Sequence, residues 1–405
     1  MRAVTWQGRH KISVETVPDP EIVNPRDAII RVTSTAICGS DLHLYDGYIP
    51  GMRAGDIVGH EFMGEVIETG AASTLKRGQR VVIPFTISCG QCFFCEKKQY
   101  SACDNSNPSE TRDASELMMG HAMGGAFGYA HLTGGYAGGQ AEYVRIPYSD
   151  VGPVVIPDDL PDDDVLFLSD ILPTGWQAAV NADIEPGDTV AVWGCGPVGL
   201  FTIQSALLLG AGRVIAIDHF PTRLALARKY GAEILDYTQV DVREALDEMT
   251  GGVGPDACID CVGMESHGFT ADNILDQVKV KMLSSTERIH ALRQAILACR
   301  KGGRLSIPGV YGGFADKFPL GQLMEKGLSV KSGQTHVQRY SGELLDMIRE
   351  GKFDTISLIS HHAPLEDAAD MYRHWHDDQD LYTKIVLKPG LKKGDISARQ
   401  ELQHA

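Results

Sequence analysis

Four cysteines lie close together in the chain and are its strongest candidates for binding a metal. Two, two and seven residues separate them, and they are Cys89, Cys92, Cys95 and Cys103. Four thiolates can complete a tetrahedron around Zn²⁺ and leave no open position, so such a site would shape a loop and do no chemistry. Disulfides and an iron–sulfur cluster are the alternatives, because spacing alone does not identify the metal.

Two further polar clusters could hold a metal of the catalytic type. One reads Cys-Gly-Ser-Asp-Leu-His from Cys38 to His43, and the other reads Gly-His-Glu around His60. A catalytic zinc needs three protein ligands and one open position, and the spacing does not identify the third ligand. Taken singly, Cys38 would be a small buried residue and His60 a structural histidine. The interpretation of Cys38 and His60 as metal ligands is therefore supported only when the other motifs are considered with them.

A glycine-rich turn carries the pattern of a dinucleotide-binding loop. The pattern G-x-G-x-x-G follows the apolar run 190–193 and opens a helical stretch. Its glycines allow a tight turn, close approach of a pyrophosphate and close packing of the helix on the strand, and the start of the helix offers free N–H groups to phosphate.

An acidic residue follows this loop at the expected distance. Asp218 ends the next strand, where a carboxylate would bind the adenosine ribose and repel a 2′-phosphate, so NAD is favoured over NADP. Arg223 could also meet the adenosine, or be a solvated arginine on a helix. The candidate cofactor-binding residues are Gly194, Gly196, Pro197, Val198, Gly199, Asp218 and Arg223.

The elements that must position these residues change in character along the chain. Before about Pro157, short β-branched runs at 28–32, 64–67 and 80–84 predict an irregular, mostly β domain. From about Asp170, strand-like and helical stretches alternate, which predicts βαβ units and a parallel sheet. The strands are expected at 190–193, 214–218, 257–260 and 304–308, and the helices at 200–209, 221–230, 242–250 and 289–300.

Two segments resist assignment from the pattern. Segment 264–288 is longer than a normal connection and is left unassigned. The stretch 120–139 contains eight glycines in twenty residues, and it is interpreted either as a flexible surface loop or as a lid over a pocket.

Length and charge exclude several classes of protein. With 405 residues, two domains are expected. The net charge is −16, from 53 acidic and 37 basic residues, which argues against binding to nucleic acid or to an anionic membrane. The run Met1 to Trp6 has no apolar signal-peptide core, so a cytoplasmic location is expected. The uncharged stretch 189–212 is interpreted as a buried strand, turn and helix because glycines and Pro197 interrupt it.

Taken in order, the motifs resemble those of the zinc-dependent medium-chain alcohol dehydrogenases over essentially the whole chain. The order is Cys-Gly-x-Asp-x-His, Gly-His-Glu, the four cysteines and G-x-G-x-x-G. A narrower similarity is to the glutathione-independent formaldehyde dehydrogenases and the formaldehyde dismutases. It rests on Ile-Cys-Gly-Ser-Asp at 37–41, Gly-Gly-Gln-Ala-Glu-Tyr at 138–143 and Leu-Ser-Asp-Ile-Leu-Pro-Thr-Gly at 168–175.

The resemblance implies an α/β fold with two domains. Residues 1–170 would form a GroES-like, mostly β catalytic domain that includes the structural-zinc lobe (89–103) and a glycine-rich insert (about 104–140). Residues 171–326 would form a doubly wound Rossmann domain that binds NAD, and residues 327–405 would complete the catalytic domain. The active site would lie in the cleft. Members of the family are dimers or tetramers, and a homotetramer is expected here, with a homodimer as the alternative.

The resemblance also implies the metal ligands. In the formaldehyde dehydrogenase subgroup an aspartate replaces the usual third cysteine, which places Cys38, His60 and Asp170 on the catalytic zinc. The four clustered cysteines match the structural-zinc lobe, giving two zinc ions per subunit. Without the resemblance, Asp170 would be interpreted as a helix-cap or turn aspartate. An aspartate ligand also argues against a glutathione adduct as substrate.

Four more residues receive roles by position in the family's motifs. Ser40 would accept the proton of the alcohol or return it to an aldehyde, and His43 would pass that proton to solvent through the nicotinamide ribose. Glu61 resembles the acid thought to exchange transiently onto the metal. Asp41 would either orient His60 or simply begin a helix.

The resulting hypothesis is a zinc- and NAD-dependent oxidoreductase that acts on formaldehyde or another small alcohol or aldehyde. Three alternatives stay open. One is a formaldehyde dismutase that retains NAD, and another is a dehydrogenase for a larger alcohol. The third is a redox- or zinc-sensing protein that kept the fold and lost catalysis.

Overall fold

The computed structural model describes residues 1–398 except 109, 111, 265–285 and 313, and the chain divides into two compact units. The first unit contains residues 1–173 and 335–405, and the second unit contains residues 174–334. Residues 265–285 of the unassigned segment 264–288 lie outside the described residues.

An eight-stranded sheet is the centre of the first unit. The strands of this unit are β1 (Arg2–Gly8), β2 (Lys11–Thr16), β3 (Ala28–Ile37), β4 (Glu61–Thr69), β5 (Arg80–Ile83), β6 (Thr86–Ile87), β7 (Gly125–Ala126), β8 (Tyr143–Ile146), β9 (Val154–Val155), β18 (His361–Pro364), β19 (Ile385–Lys388) and β20 (Ser397–Ala398). The strand order in the sheet is β20-β18-β19-β3-β4-β5-β9, with β8 also paired to β3. Two pairs, β1 with β2 and β6 with β7, stand apart from it. The helices are α1 (Gly39–Tyr45), α2 (Phe93–Glu96), α3 (Arg112–Met119), α4 (Asp162–Val165), α11 (Val337–Arg349) and α12 (Ala368–Asp377).

The pairing of three strands explains how distant parts of the chain meet. The last residue of β3, Ile37, pairs with Ile385 at the start of β19, and its neighbour Ala36 pairs with Glu61 at the start of β4. Because both pairings are antiparallel, the residue after β3 lies beside the residues that precede β4 and β19. Those residues are Cys38, His60 and Lys384.

The glycine-dense stretch packs tightly against the strand that carries His60. A Cβ atom on Gly139 would lie 2.0 Å from the ring of Phe62, and one on Gly138 would lie 2.2 Å from the carbonyl oxygen of Val58. Phe127 and Ala130 in the same stretch are buried. The alternative of a flexible surface loop is therefore wrong for residues 125–139, where the glycines permit close approach of two backbones.

The second unit is built on a six-stranded, entirely parallel sheet. Its strand order is β12-β11-β10-β13-β15-β17, so that the first strand lies in the middle and the order reverses beside it. This is the doubly wound order of a dinucleotide-binding fold. The strands of the sheet are β10 (Thr189–Trp193), β11 (Arg213–Asp218), β12 (Glu233–Asp236), β13 (Ala257–Asp260), β15 (Arg304–Ile307) and β17 (Ser329–Ser332). Two further short strands, β14 (Thr286–Glu287) and β16 (Phe314–Ala315), pair only with each other among the described strands. The helices are α5 (Ile171–Asn181, which begins in the first unit), α6 (Pro197–Leu208), α7 (Pro221–Lys229), α8 (Val242–Met249), α9 (His290–Ala298) and α10 (Leu320–Glu325).

The predicted strands and helices of the second unit are confirmed within a few residues, and so are the three predicted strands of the first. The uncharged stretch 189–212 forms β10, the glycine turn and α6, and its apolar residues are largely buried. Within the described part of the chain, no helix has the length and apolar character needed to cross a membrane.

Candidate metal centres and cofactor loop

The four clustered cysteines converge on one point. The four-cysteine centre (Cys89, Cys92, Cys95 and Cys103) brings four sulfur atoms within 4.8 Å of one another. The Cys89 and Cys95 sulfurs are 4.0 Å apart and the Cys92 and Cys103 sulfurs 3.9 Å apart. Four Zn–S bonds of about 2.3 Å in a tetrahedron give S–S distances of about 3.8 Å, so the centre fits a zinc ion. All nine cysteines of the chain are described, and none forms a disulfide.

Hydrogen bonds to sulfur favour a thiolate at Cys89, whereas burial raises the pKa of Cys95 and Cys103. The backbone N–H of Cys89 donates to the Cys103 sulfur at 3.2 Å, and the Asn105 amide donates to the Cys89 sulfur at 3.4 Å. Burial raises the pKa of Cys89, but the backbone N–H of Gln91, the amide of Asn105 and other donors outweigh burial and lower its pKa to about 7. A thiol that loses its proton near neutral pH is a ready metal ligand.

A second group of potential ligands forms the mixed centre (Cys38, His60, Glu61 and Asp170). One ligand atom from each residue lies within 4.8 Å of the others, and all four are buried. Cys38 and His60 come from the ends of β3 and β4. Asp170 follows a 3₁₀ turn (Leu166–Ser169), whose last carbonyl accepts the backbone N–H of Phe85 at 2.9 Å.

The distances in the mixed centre also fit a tetrahedral metal. Oδ2 of Asp170 is 3.9 Å from the Cys38 sulfur and 3.3 Å from Nε2 of His60. Zinc bonds of ordinary length predict about 3.6 Å for sulfur to oxygen and about 3.3 Å for nitrogen to oxygen. Burial, followed by the charge of Glu61, raises the pKa of Cys38. A divalent cation would reverse that shift, because it stabilises the thiolate.

A buried network fixes the orientation of His60. Nδ1 of His60 lies 3.2 Å from Oδ1 of Asp41, which directs Nε2 toward the centre. Oδ2 of Asp41 accepts the backbone N–H of Cys38 at 2.9 Å and the amide of Gln140 at 3.2 Å. Tyr372 in turn donates its hydroxyl to Oε1 of Gln140 at 3.0 Å. Asp41 therefore completes the capping box at the start of α1 and lies beside His60 at the same time.

Ser40 and His43 lie on the helix that starts at this centre. Oγ of Ser40 is 3.1 Å from Nε2 of His60, so the hydroxyl lies beside the ligand nitrogen of the mixed centre. His43 follows Ser40 by three residues on α1, a spacing that places both side chains on one face, and it is 6% exposed.

Glu61 is engaged by a buried lysine. Nζ of Lys384 lies 2.6 Å from Oε1 of Glu61, and both side chains are fully buried. Burial alone would lower the pKa of Lys384, but the charge of Glu61 and its hydrogen bond raise it. The second oxygen, Oε2 of Glu61, has no hydrogen-bond partner among the described residues. One oxygen of Glu61 is thus held by Lys384 while the other is available to a cation.

Two aromatic rings stand edge-on to His60. The ring centroids of Phe85 and Tyr129 are each 6.2 Å from that of His60, with interplanar angles of 70° and 86°. Tyr129 comes from the glycine-dense stretch. Burial raises the pKa of Tyr129, so its phenol is neutral at ordinary pH. The rings make the surroundings of the centre apolar.

The glycine loop of the second unit has the geometry that a pyrophosphate needs. A Cβ atom on Gly199 would lie 1.8 Å from the Gly194 carbonyl oxygen, so only glycine allows this packing of α6. A Cβ atom on Gly196 would meet only the guanidinium of Arg223, at 3.9 Å. The backbone is therefore open at the point where a phosphate would approach, and Pro197 starts α6 immediately after it.

Asp218 lies at the end of β11 beside this loop. Its carboxylate accepts the backbone N–H groups of Cys195 at 2.7 Å and His219 at 2.6 Å. Burial alone would raise its pKa, but the hydrogen bond with His219 and the charge of Arg223 outweigh burial and hold the pKa of Asp218 at about 2. Arg223 stacks on the ring of Phe220, with its Cζ 4.5 Å from the centroid.

Sequence reasoning did not select Lys384, Phe85, Gln140 or Tyr372 as parts of a site. Lys384 had a usable signal, since it is the one charged residue in the sequence Tyr-Thr-Lys-Ile-Val-Leu at 382–387, which is typical of a strand, and a buried lysine normally has a partner. Phe85 and Tyr372 had none, because aromatic residues are common in any core.

Comparison with known proteins places the chain in a family. Residues 24–158 match the family described as "Alcohol dehydrogenase GroES-like domain", and residues 197–281 match "Zinc-binding dehydrogenase". The chain is 43% identical over 399 residues to the zinc-type alcohol dehydrogenase-like protein AdhB of Bacillus subtilis, covering 96% of this chain and 100% of that protein.

Two further similarities are informative about fold and relatives. The chain is 34% identical over 415 residues to a glutathione-independent formaldehyde dehydrogenase of Pseudomonas aeruginosa, covering 96% and 97% of the two chains. Among solved structures, the alcohol dehydrogenase TADH from Thermus sp. ATN1 matches with a TM-score of 0.79 and 33% identity, covering 96% of this chain and 100% of that one. The expected fold class, a GroES-like domain with a Rossmann-like parallel sheet, is confirmed.

Proposed function

The chain belongs to the zinc-dependent medium-chain dehydrogenases, and we propose that it transfers hydride between NAD and a small alcohol or hydrated aldehyde, with formaldehyde the favoured substrate. One observation carries the proposal: Cys38, His60 and Asp170 converge with distances suited to a metal, and Ser40 lies 3.1 Å from the imidazole. The similarity to a formaldehyde dehydrogenase supports the choice of substrate.

Cys38, His60 and Asp170 would hold the catalytic zinc, and the four-cysteine centre would hold a second, structural zinc. The zinc at the mixed centre would act as a Lewis acid at the substrate oxygen while NAD exchanges hydride with the substrate carbon. Asp41 lies 3.2 Å from Nδ1 of His60 and would hold that nitrogen, which leaves Nε2 for the metal.

Proton movement would fall to the residues of α1. The Ser40 hydroxyl would accept the proton of an alcohol or a gem-diol and return it when an aldehyde is reduced. His43, three residues further along the same face of α1, would exchange that proton with solvent. For an aldehyde, hydration gives a gem-diol. One of its hydroxyl groups would give up its proton as the C–H bond of the same carbon gives its hydride to NAD⁺, and the carboxylic acid formed ionises to a carboxylate.

The surroundings of the centre favour a small substrate. Phe85 and Tyr129 flank His60 edge-on, and we expect a bulky substituent to clash with their rings. Glu61 would approach the metal through Oε2 while Lys384 holds Oε1.

NAD would bind at the glycine loop of the second unit. Gly194, Gly196 and Gly199 with Pro197 and Val198 would receive the pyrophosphate, and Asp218 would bind the adenosine ribose. The low pKa of Asp218 keeps it negative, which disfavours a 2′-phosphate. Arg223, close to Gly196, would contact the adenosine half of the cofactor.

An NMR time course with pure protein and formaldehyde, first without and then with NAD⁺, tests the proposal. We expect formate and NADH only after NAD⁺ is added, and a Cys38→Ser variant should form neither. Methanol and formate rising in equal amounts without added NAD⁺ would instead show dismutation by retained cofactor. Untouched formaldehyde in both conditions would contradict the substrate, and the same assay with longer alcohols would then follow.

A further inference from the structure

A third group of metal-ligating side chains lies at the other end of α1 from Cys38. The surface cluster (His10, Asp46 and His376) places one ligand atom from each residue within 4.8 Å of the others. His10 comes from the turn between β1 and β2, Asp46 caps the C-terminus of α1, and His376 lies near the end of α12.

Distances within the surface cluster are close to those around a metal ion. Oδ1 of Asp46 is 2.9 Å from Nε2 of His10 and 3.3 Å from Nε2 of His376. A tetrahedral zinc with bonds of about 2.0 Å requires ligand atoms about 3.3 Å apart. A single carboxylate oxygen therefore faces two imidazole nitrogens. The nitrogen of His376 is at the separation that coordination needs, and the nitrogen of His10 is at hydrogen-bond distance, so a small shift of the His10 ring would admit an ion.

The surroundings of His376 suit a bound cation. Its Nδ1 lies 2.9 Å from Oδ1 of Asp377, so both ring nitrogens of His376 face carboxylates. If Nδ1 carries the proton donated to Asp377, the Nε2 lone pair points at the negative oxygen of Asp46. Either a second proton or a metal ion must lie between them, and a carboxylate behind the distal nitrogen is the usual support of a metal-bound histidine.

The surrounding structure holds the three ligands in place. The backbone N–H of His10 donates to the carbonyl of Tyr45 at 2.7 Å, which fixes the turn to the end of α1. The Tyr45 ring packs 5.3 Å from the ring of His10 and 5.7 Å from that of His376. The Asp46 side chain is 12% exposed, whereas those of His10 and His376 are 47% and 37% exposed, so an ion could enter from solvent.

We propose that His10, Asp46 and His376 form a third divalent-metal site, separate from the two centres described above. Two imidazoles and one carboxylate suit zinc, nickel or copper better than calcium or magnesium. With three protein ligands, the remaining positions are filled by water or by a small external ligand. The ion would tie the β1–β2 turn and α12 to the end of the helix that carries Ser40 and His43.

The direct test counts metal ions. Wild-type protein and the variants His10→Gln, His376→Gln and Asp46→Asn are dialysed against micromolar Zn²⁺, and the zinc bound per chain is measured by mass spectrometry. His121→Gln is the matched control, because His121 is also exposed and lies outside all three groups. We expect each cluster variant to bind one zinc fewer than wild type and the control to match wild type. This difference does not depend on how many ions the other centres hold.

Two further measurements keep the proposal testable if one of the variants folds poorly. Cu²⁺ added to the zinc-loaded wild-type protein should give an electron paramagnetic resonance spectrum with nitrogen couplings, and His376→Gln should lose one of the nitrogens. With the two other centres already loaded, further zinc should raise the melting temperature of wild type and not that of the three variants. Equal zinc content in wild type and variants, together with no nitrogen-coupled copper signal, would overturn the proposal and assign the cluster to a protonated histidine paired with Asp46.

Discussion

The two candidate metal centres of the first unit are built in different ways. The four-cysteine centre takes all its ligands from fifteen consecutive residues, and hydrogen bonds from nearby backbone and Asn105 surround its sulfurs. The mixed centre takes its ligands from three distant segments. β3 and β4 are paired in the sheet, and the turn before Asp170 is hydrogen-bonded to Phe85, two residues after β5.

Their surroundings differ as much as their ligands. Around the four-cysteine centre the thiolates are the whole site, and no open position remains. Around the mixed centre lie a hydroxyl, a histidine, an engaged glutamate and two aromatic edges. A structural ion needs only a closed set of ligands, whereas a catalytic ion needs groups that hold substrate and move protons. We therefore expect changes at the first centre to affect stability and changes at the second to affect turnover.

The largest effect is expected from Cys38→Ser. Loss of one ligand of the mixed centre should reduce kcat by about 10³-fold or more, because Lewis-acid stabilisation is worth several kcal/mol. Zinc content should fall by one, and the melting temperature should change little. The measurement is turnover with NAD⁺ together with zinc analysis; a fully active variant would contradict the role of this centre.

The matching change at the other centre is Cys103→Ser. We expect the free energy of unfolding to fall by more than about 4 kcal/mol, because loss of a structural metal is among the most destabilising single changes. Activity per folded molecule should stay close to wild type. Thermal and urea unfolding provide the measurement, with Cys299→Ser, a buried cysteine outside both centres, as control. If Cys103→Ser were as stable as Cys38→Ser, the structural role of the four-cysteine centre would be contradicted.

Lys384→Met tests the charge balance behind the mixed centre. Removing one partner of the buried pair leaves Glu61 without its counter-charge, and we expect a loss of about 3 to 5 kcal/mol of stability. The double variant Glu61→Gln with Lys384→Met should recover most of that loss, as measured by urea unfolding. No recovery would mean that the lysine contributes through packing and not through its charge.

The smallest effect is expected from Asp41→Asn, which leaves every metal ligand in place. Weaker orientation of His60 should reduce zinc affinity or activity by about 10- to 100-fold, the usual cost of losing such a partner. Asp150→Asn is the control, since Asp150 pairs with Arg26, whose Nη2 donates to the Cys89 carbonyl beside the four-cysteine centre. We expect Asp150→Asn to lower stability without changing kcat. A loss of kcat in Asp150→Asn and not in Asp41→Asn would contradict the role given to Asp41.

The same contrast explains what the sequence could predict. Local spacing identified the four-cysteine centre and the glycine loop, because their geometry is set within a few residues. The strands and helices of the second unit were also predictable, since buried strands and helices alternate with clear turns. Asp170 was reached only through a family resemblance, because its place beside His60, 110 residues earlier in the chain, depends on tertiary packing that no local pattern encodes.

The contacts that support the mixed centre were beyond sequence reasoning for the same reason. Gln140 and Tyr372 are 232 residues apart, yet one hydrogen bond joins them behind Asp41. The pairing of Lys384 with Glu61 likewise follows from the position of β19 beside β3. The glycine-dense stretch was ambiguous because the same composition serves mobile loops and tight backbone contacts, and only the packing on Phe62 separates them.

The most direct test of the central claim is X-ray diffraction at the zinc absorption edge, using crystals grown without added metal. We predict one anomalous peak inside the four-cysteine centre and one inside the mixed centre, the latter bound by Cys38, His60 and Asp170 with a position left for substrate. A peak at the four-cysteine centre alone, or an ion at the mixed centre without Asp170 among its ligands, would contradict the account.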